Sequence, residues 1–226
     1  QLDVQVTLRP VSADGWVDLG ISGEDAEAAQ ALIAREVGSR PRSLGDLVVS
    51  QVLRGKITSH DWKEGVRVDV GIRQPQPIDL LVPSAVLRSQ MPYGDRASDA
   101  QLGQLWCLHE HFPLELRLSW LEDGERPPEA ELSEGQIDIF NDWVDTALDR
   151  VVALGATLRR VRSALRSSRH LTDAARLDRL GLLEVSLLCK LGTDAPGIIH
   201  DIGRLLPGVP LHSFQPSRVV KPARPG

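Results

Sequence analysis

The sequence predicts an α+β protein of three linked units, and three observations carry that expectation. Apolar residues alternate along several short runs in residues 1–121, the two-residue period of a half-buried strand. Those runs stand close together between Gly and Pro residues, the pattern of a small barrel. From residue 149 to residue 214 the pattern reads strand, helix, strand, strand, helix, strand. Size and composition agree: 226 residues, 42% hydrophobic and 25% charged, place the chain among globular proteins of one or two domains. No apolar run approaches the roughly 18–20 residues of a membrane span, and no signal-like stretch opens the chain. A cytoplasmic protein is expected.

Residues 1–42 read as a small N-terminal α/β unit. Leu2, Val4, Val6 and Leu8 alternate as a half-buried strand, and residues 15–21 alternate again after an Ala-Asp-Gly turn. Ser22 stands three residues before Asp25, an approximate capping box ahead of Ala26, Ala29, Leu32, Ile33 and Val37 at helical spacing. Gly38 closes that helix, and residues 40–42 (Arg-Pro-Arg) form a linker.

Residues 43–121 supply the barrel-like middle from β-runs at 45–55, 65–71, 78–83 and 114–120. The run at 65–71 (Gly-Val-Arg-Val-Asp-Val-Gly) resembles a strand of S1-type oligonucleotide-binding barrels. Pro83 stands where those barrels often place a proline after their third strand. The resemblance implies an OB/S1-like barrel. Stacking on aromatic side chains contributes roughly 1–3 kcal/mol per base. Val66, Arg67, Val68, Asp69 and Val70 include no ring, which argues against stacking on this strand.

Residues 122–150 read as an acidic linker and helix. Residues 122–132 form a Pro-rich connector, and Ser133 with Gln136 has capping-box spacing at a helix start. Ile137, Phe140, Trp143, Val144 and Leu148 mark the buried face of that helix. The next unit, residues 151–214, takes its first strand from 149–155 and its first helix from 157–169, with Leu158, Val161 and Leu165 inward. Strands follow at 174–181 and 182–190, with Leu187 inward under the first helix. A turn at 192–197 feeds a helix through Leu206, and residues 209–214 form the last strand. The order βαββαβ is that of a ferredoxin-like split unit. Residues 215–226 form a basic, Pro-rich tail expected to be disordered.

Three stretches of this last unit carry a family resemblance. Residues 179–185 (Arg-Leu-Gly-Leu-Leu-Glu-Val), 189–199 (Cys-Lys-Leu-Gly-Thr-Asp-Ala-Pro-Gly-Ile-Ile) and 202–208 (Ile-Gly-Arg-Leu-Leu-Pro-Gly) resemble the C-terminal signature of an archaeal family. That family is catalogued as domain of unknown function 2110. Residues 65–71 and 82–88 fit its middle region. The resemblance implies an archaeal, cytoplasmic source and brings no activity, cofactor or catalytic residue with it.

The net charge of −5 hides a strong asymmetry. Residues 122–150 hold two basic and ten acidic side chains, whereas residues 151–226 hold twelve basic and five acidic ones. Such asymmetry bears on partners. Arg159, Arg162, Arg166 and Arg169 are spaced three, four and three apart, which places them on one helical face, and Arg160 extends the patch. No carboxylate interrupts the run from Thr157 to Arg169. Guanidinium groups match phosphate geometry, so these five arginines are the candidate nucleic-acid contacts. The competing expectation is that the acidic helix of residues 134–149 neutralises them within the fold.

Two other constellations have structural explanations stronger than their functional ones. Thr193, Asp194 and Gly197 lie in a Gly-Thr-Asp-Ala-Pro-Gly turn suited to helix capping, and also to an effector or anion at the helix start. Cys107, His109 and His111 would share a face if they lay on a strand. A structural zinc site would still need a fourth ligand from Cys189, His170, His200 or His212. An ordinary strand or loop is the expectation there, with no metal and no cofactor. Cys107 and Cys189 sit in apolar runs and are expected as buried free thiols.

No catalytic motif is present: no Gly-x-Ser-x-Gly, phosphate-binding P-loop, His-Glu-x-x-His or Gly-x-Gly-x-x-Gly. The expected function is therefore a non-enzymatic RNA- or nucleoprotein-binding factor acting through the arginine-rich helix. Two alternatives stand beside it. One is a protein–protein adaptor of the transcription or translation machinery, docking through the acidic residues 122–150. The other is an effector-binding regulatory protein using the 192–197 turn.

Overall fold

The computed structural model describes residues 2–9, 16–41, 43–121 and 126–220. The Ala-Asp-Gly turn, Arg42, the acidic stretch 122–125 and the last six residues of the tail lie outside the described residues. The molecule is a mixed α+β structure with a closed five-stranded barrel in the middle and an antiparallel C-terminal sheet flanked by helices.

Strands β1 (Gln5–Leu8) and β2 (Leu19–Ser22) pair as an antiparallel ribbon, followed by helix α1 (Ala26–Val37). The expected elements form, but their burial differs. Val6 and Leu8 are 53% and 71% exposed, because a two-stranded ribbon has no sheet behind it to cover a face. The capping box also fails: Asp25 is the N-cap residue, and its carboxylate accepts the Asp3 backbone N–H at 2.8 Å instead of capping. Gly38 ends α1 in the left-handed region (φ 91°).

The barrel runs β3 (Val52–Asp61), β4 (Gly65–Asp69), β5 (Leu80–Pro83), β6 (Pro113–Trp120) and β7 (Glu129–Leu132), in the closed order β3-β4-β5-β7-β6. Alternation decides what fills it: Ile57, Val66, Val68, Leu80, Val82, Leu116, Ala130 and Leu132 point inward and are fully buried. Two corrections follow. Residues 45–51 do not join the first strand, which begins at Val52 and continues through Asp61. The acidic connector holds a strand: β7 pairs antiparallel with β6 and parallel with β5, closing the barrel with Ala130 and Leu132 inside. Helices α2 (Ser84–Gln90) and α3 (Asp99–Leu105), absent from the expected elements, fill the connection between β5 and β6.

Helix α4 (Glu134–Asp145) starts where the sequence places it, with the Ser133 hydroxyl accepting the Gln136 N–H at 3.1 Å. The Gln136 side chain does not complete a capping box. Its carbonyl oxygen takes the Glu115 N–H of β6 at 3.0 Å and ties the helix to the barrel. Phe140, Trp143 and Val144 are buried as expected, and Ile137 and Leu148 are half-buried.

The C-terminal unit follows the expected order: β8 (Arg150–Leu154), α5 (Leu158–Ser167), β9 (Ala174–Arg179), β10 (Glu184–Cys189), α6 (Ala195–Gly203) and β11 (Leu211–Phe214). The strands lie as β11-β8-β10-β9, every neighbouring pair antiparallel. Alternation sorts the two faces. Val151, Ala153, Val185, Leu187 and Cys189 pack with Val161 and Leu165 of α5 and Ile198 and Ile202 of α6. Val152, Leu154 and Phe214 turn the other way into the core shared with the barrel and α4. There Trp106, Phe140, Trp143 and Phe214 form an edge-to-face cluster, with Trp143 and Phe214 ring centroids 5.1 Å apart. The sheet is therefore covered on both sides, and α5 stands on the side away from the barrel.

The beginning of the tail is ordered. Helix α7 (Pro216–Val220) buries Val219 against the shared core, so an apolar contact overrides the Pro-rich, basic composition of that stretch. Among the described residues, no helix is long and apolar enough to cross a membrane.

Candidate nucleic-acid interface

Helix α5 is amphipathic to an unusual degree. Thr157 caps it, its hydroxyl accepting the Arg160 N–H at 3.2 Å. Val161, Ala164 and Leu165 are buried against the sheet, which forces the intervening arginines outward. Arg159, Arg162 and Arg166 are all exposed on the outer face. With a rise of 1.5 Å per residue, the three spread over about 10 Å of helix axis.

The other two predicted arginines stand apart from that row. Arg160 is exposed on the flank, and its guanidinium donates to the Pro207 carbonyl at 3.0 Å. Arg169 is exposed but has left the helix. The chain takes a left-handed turn at that residue (φ 67°) into a 3₁₀ turn at His170–Thr172, so helical spacing no longer applies.

A fourth guanidinium joins the row from the edge strand. Leu177 of β9 packs toward α5, and two residues further on Arg179 faces the same way. Leu158, Arg159, Arg162, Ser163, Arg166 and Arg179 line an open groove of about 460 Å³. No side-chain ion pair or hydrogen bond joins any of its four arginines to another described residue. The period of two puts Arg179 on the face of Leu177, but only the packing of β9 beside α5 brings it to the arginine row.

The acidic helix does not neutralise this face. Helix α4 lies across the sheet from α5, and its Asp142 engages Arg150 at 3.0 Å and Arg176 at 3.4 Å. Arg150 is fully buried, stacked over Trp143 and also held by Asp178 at 3.2 Å. Burial depresses the Arg150 pKa, against the pull of Asp142 and Asp178. The ion pairs of α4 thus go to Arg150, Arg176 and, through Glu134, Arg117, and among the described residues none reaches the groove.

The 192–197 turn serves the fold. The Asp194 carboxylate accepts the Gly197 N–H at 2.9 Å, and Asp149 accepts the Ala195 N–H at 3.2 Å. Two carboxylates therefore already occupy donors that an anion at the start of α6 would use. Thr193 is half-buried beside them. Cys107, His109 and His111 do not lie on a strand; they occupy the turn between α3 and β6, so alternation does not bring them onto one face. Cys107 is buried, its thiol pushed up to about 12 by desolvation, while His111 is exposed. Among the described residues no group of three or more His, Cys, Asp or Glu side chains is placed to hold a metal. Cys107 and Cys189 are free thiols in different cores.

Two histidine arrangements were not legible in the sequence. His109 stacks on His212 of β11, centroids 3.8 Å apart, where the barrel meets the sheet. Burial, and then the neighbouring His109, push His212 down to about 4, and its Nε2 is buried without a partner among the described residues. Burial and the charge of His60 lower His109 as well. At the exit of α5, His170 contacts Asp173 and Asp201, each at 2.7 Å. Those carboxylates raise its pKa, since both ring nitrogens can donate to carboxylates only in the imidazolium.

The fold and the groove define a mixed α+β protein with a closed barrel and an antiparallel sheet, whose helix α5 and edge strand β9 display arginines that no described residue pairs. Residues 148–212 match the model of the DUF2110 C-terminal domain, the family that the motifs of residues 179–208 resemble. No curated protein and no solved structure matches the chain.

Proposed function

We propose that the protein is a non-enzymatic RNA- or nucleoprotein-binding factor whose contact surface is the groove between α5 and β9. One observation carries the reading: four exposed guanidinium groups converge there with no carboxylate among the lining residues. Uncompensated arginines on one face are the electrostatic footprint of a polyanion. The finer fold assignment supports the same reading. The barrel order of first, second, third, fifth and fourth strand, with helices between the third and fourth, agrees with an OB/S1-like barrel. The order β11-β8-β10-β9 agrees with a ferredoxin-like unit.

A second reading rests on α4. Glu134, Asp138 and Asp145 are exposed there beside Ile139, a surface suited to docking a basic protein partner. Ultraviolet crosslinking in the native cells, with sequencing of bound nucleic acid and mapping of the crosslinked peptides, separates the two. The nucleic-acid reading predicts crosslinks in the peptides that hold residues 158–179. Protein capture through α4 without nucleic acid contradicts it.

A further inference from the structure

The lining of the groove also bears on what it recognises. Leu158, Ser163 and four arginines border it, with no aromatic ring, amide or carboxylate among them. Single-stranded nucleic acid is held largely by rings on which splayed bases stack, with polar groups pairing to base edges. Residues 151–214 contain no Trp, Tyr, Asn or Gln, and Phe214 is fully buried. Of the histidines, His170 is held between two carboxylates and His212 is stacked on His109. The exposed His200 lies on α6, outside the groove lining.

The cations are carried on rigid elements. Arg159, Arg162 and Arg166 follow one helix, and Arg179 rises from a paired strand beside it. A flexible strand laid along such a row loses conformational freedom on binding, whereas a duplex presents phosphates already ordered. Resting on the nucleic-acid reading above, we infer that the groove takes the phosphate backbone of a double-stranded nucleic acid and reads no bases. RNA and DNA duplexes share that chemistry. Arg179 is part of the contact, contributing one of four phosphate interactions.

Fluorescence anisotropy on the full chain tests this. The probes are labelled duplexes of about 20 base pairs in two unrelated sequences, as RNA and as DNA, with their matching single strands; poly-glutamate serves as competitor. The two sequences should bind within about twofold of each other, and each duplex about fivefold or more tightly than its single strands. On DNA duplexes, log K should fall against log salt with a slope of about −3.6 for four contacts, and Arg179→Ala should flatten it by about 0.9. Arg179→Lys should keep the slope, and both variants should melt like the parent. Preference for RNA or for DNA names the source and supports the inference either way. Single strands binding as tightly as duplexes, or tenfold discrimination between sequences, overturns the duplex inference and leaves the nucleic-acid reading standing. Absence of binding to every probe overturns that reading, as does a poly-glutamate competitor equal to the duplex.

Discussion

Acidification should loosen the junction between barrel and sheet through His212. In the folded protein burial pushes this imidazole down to about 4, against 6.5 for a free histidine, so the unfolded chain binds the extra proton throughout the interval between them. Stability contributed by the neutral ring is present above 6.5 and is lost as pH falls toward 4. At about 1.36 kcal/mol per unit, the full interval corresponds to an upper bound of about 3 kcal/mol, which partial exposure of the ring lowers. The structural cause is local: a proton on Nε2 would be a buried donor without an acceptor, beside the stacked His109. Glu184 works in the opposite sense. Burial raises its pKa, so the folded state takes up its proton earlier and gains stability as pH falls. The assay must therefore compare His212→Asn with the parent, by urea unfolding at intervals from pH 7.5 to 4.5. Any packing lost in the variant is an offset at every pH, and that offset should shrink by about 2 kcal/mol toward the acid end. Parallel curves would refute the assignment of acid sensitivity to this ring.

Other predictions follow the same geometry. His170 has the opposite sign to His212: its raised folded pKa means that its carboxylate contacts stabilise the fold below the unfolded value and fade as pH rises through the folded one. His170→Gln should consequently destabilise more at pH 6 than at pH 9, and equal losses at both would count against a charged clamp. Leu187 is 1% exposed beneath α5, so Leu187→Asp buries a carboxylate without a partner and should cost several kcal/mol by thermal melting. A melt like the parent's would contradict the placement of β10. At Gly103, an added Cβ would run into the Trp62 ring, so Gly103→Ala should displace that ring from its stack with His60 and cost about 1–3 kcal/mol. Unchanged stability would show that the ring is free to move.

Legibility of the sequence varied with how local the signal was. The order of elements in residues 149–214 could be read because each carries its own period, cap or turn. Asp194 ahead of Ala-Pro and Thr157 ahead of the arginine run both act as caps. Strand β7 escaped because its four residues alternate Glu and apolar within a Pro-rich, acidic stretch. It is a strand only because β5 and β6 flank it. The exposed N-terminal ribbon shows the converse: alternation specifies a face, but burial needs something to cover it. The arginine row was visible as a helical period, whereas its end at Arg166 depended on where α5 stops. Arg179 needed the knowledge that β9 runs beside α5. The position of α4 across the sheet, which decides whether those arginines are neutralised, belongs to tertiary packing alone.

The central claim concerns the uncompensated arginines, and the salt dependence of binding by an Arg162→Ala, Arg166→Ala double variant tests it most directly. Each phosphate contact releases a counterion, giving a slope in log K against log salt of about −0.7 per contact on single strands and −0.9 on duplex DNA. Removing two should weaken binding at low salt and flatten the slope by roughly 1.4 to 1.8 units. Melting temperature should stay near the parent's, since both side chains are exposed and have no side-chain partner among the described residues. An unchanged slope in a folded variant would contradict the account, and a collapse of stability would show that the arginines serve the fold.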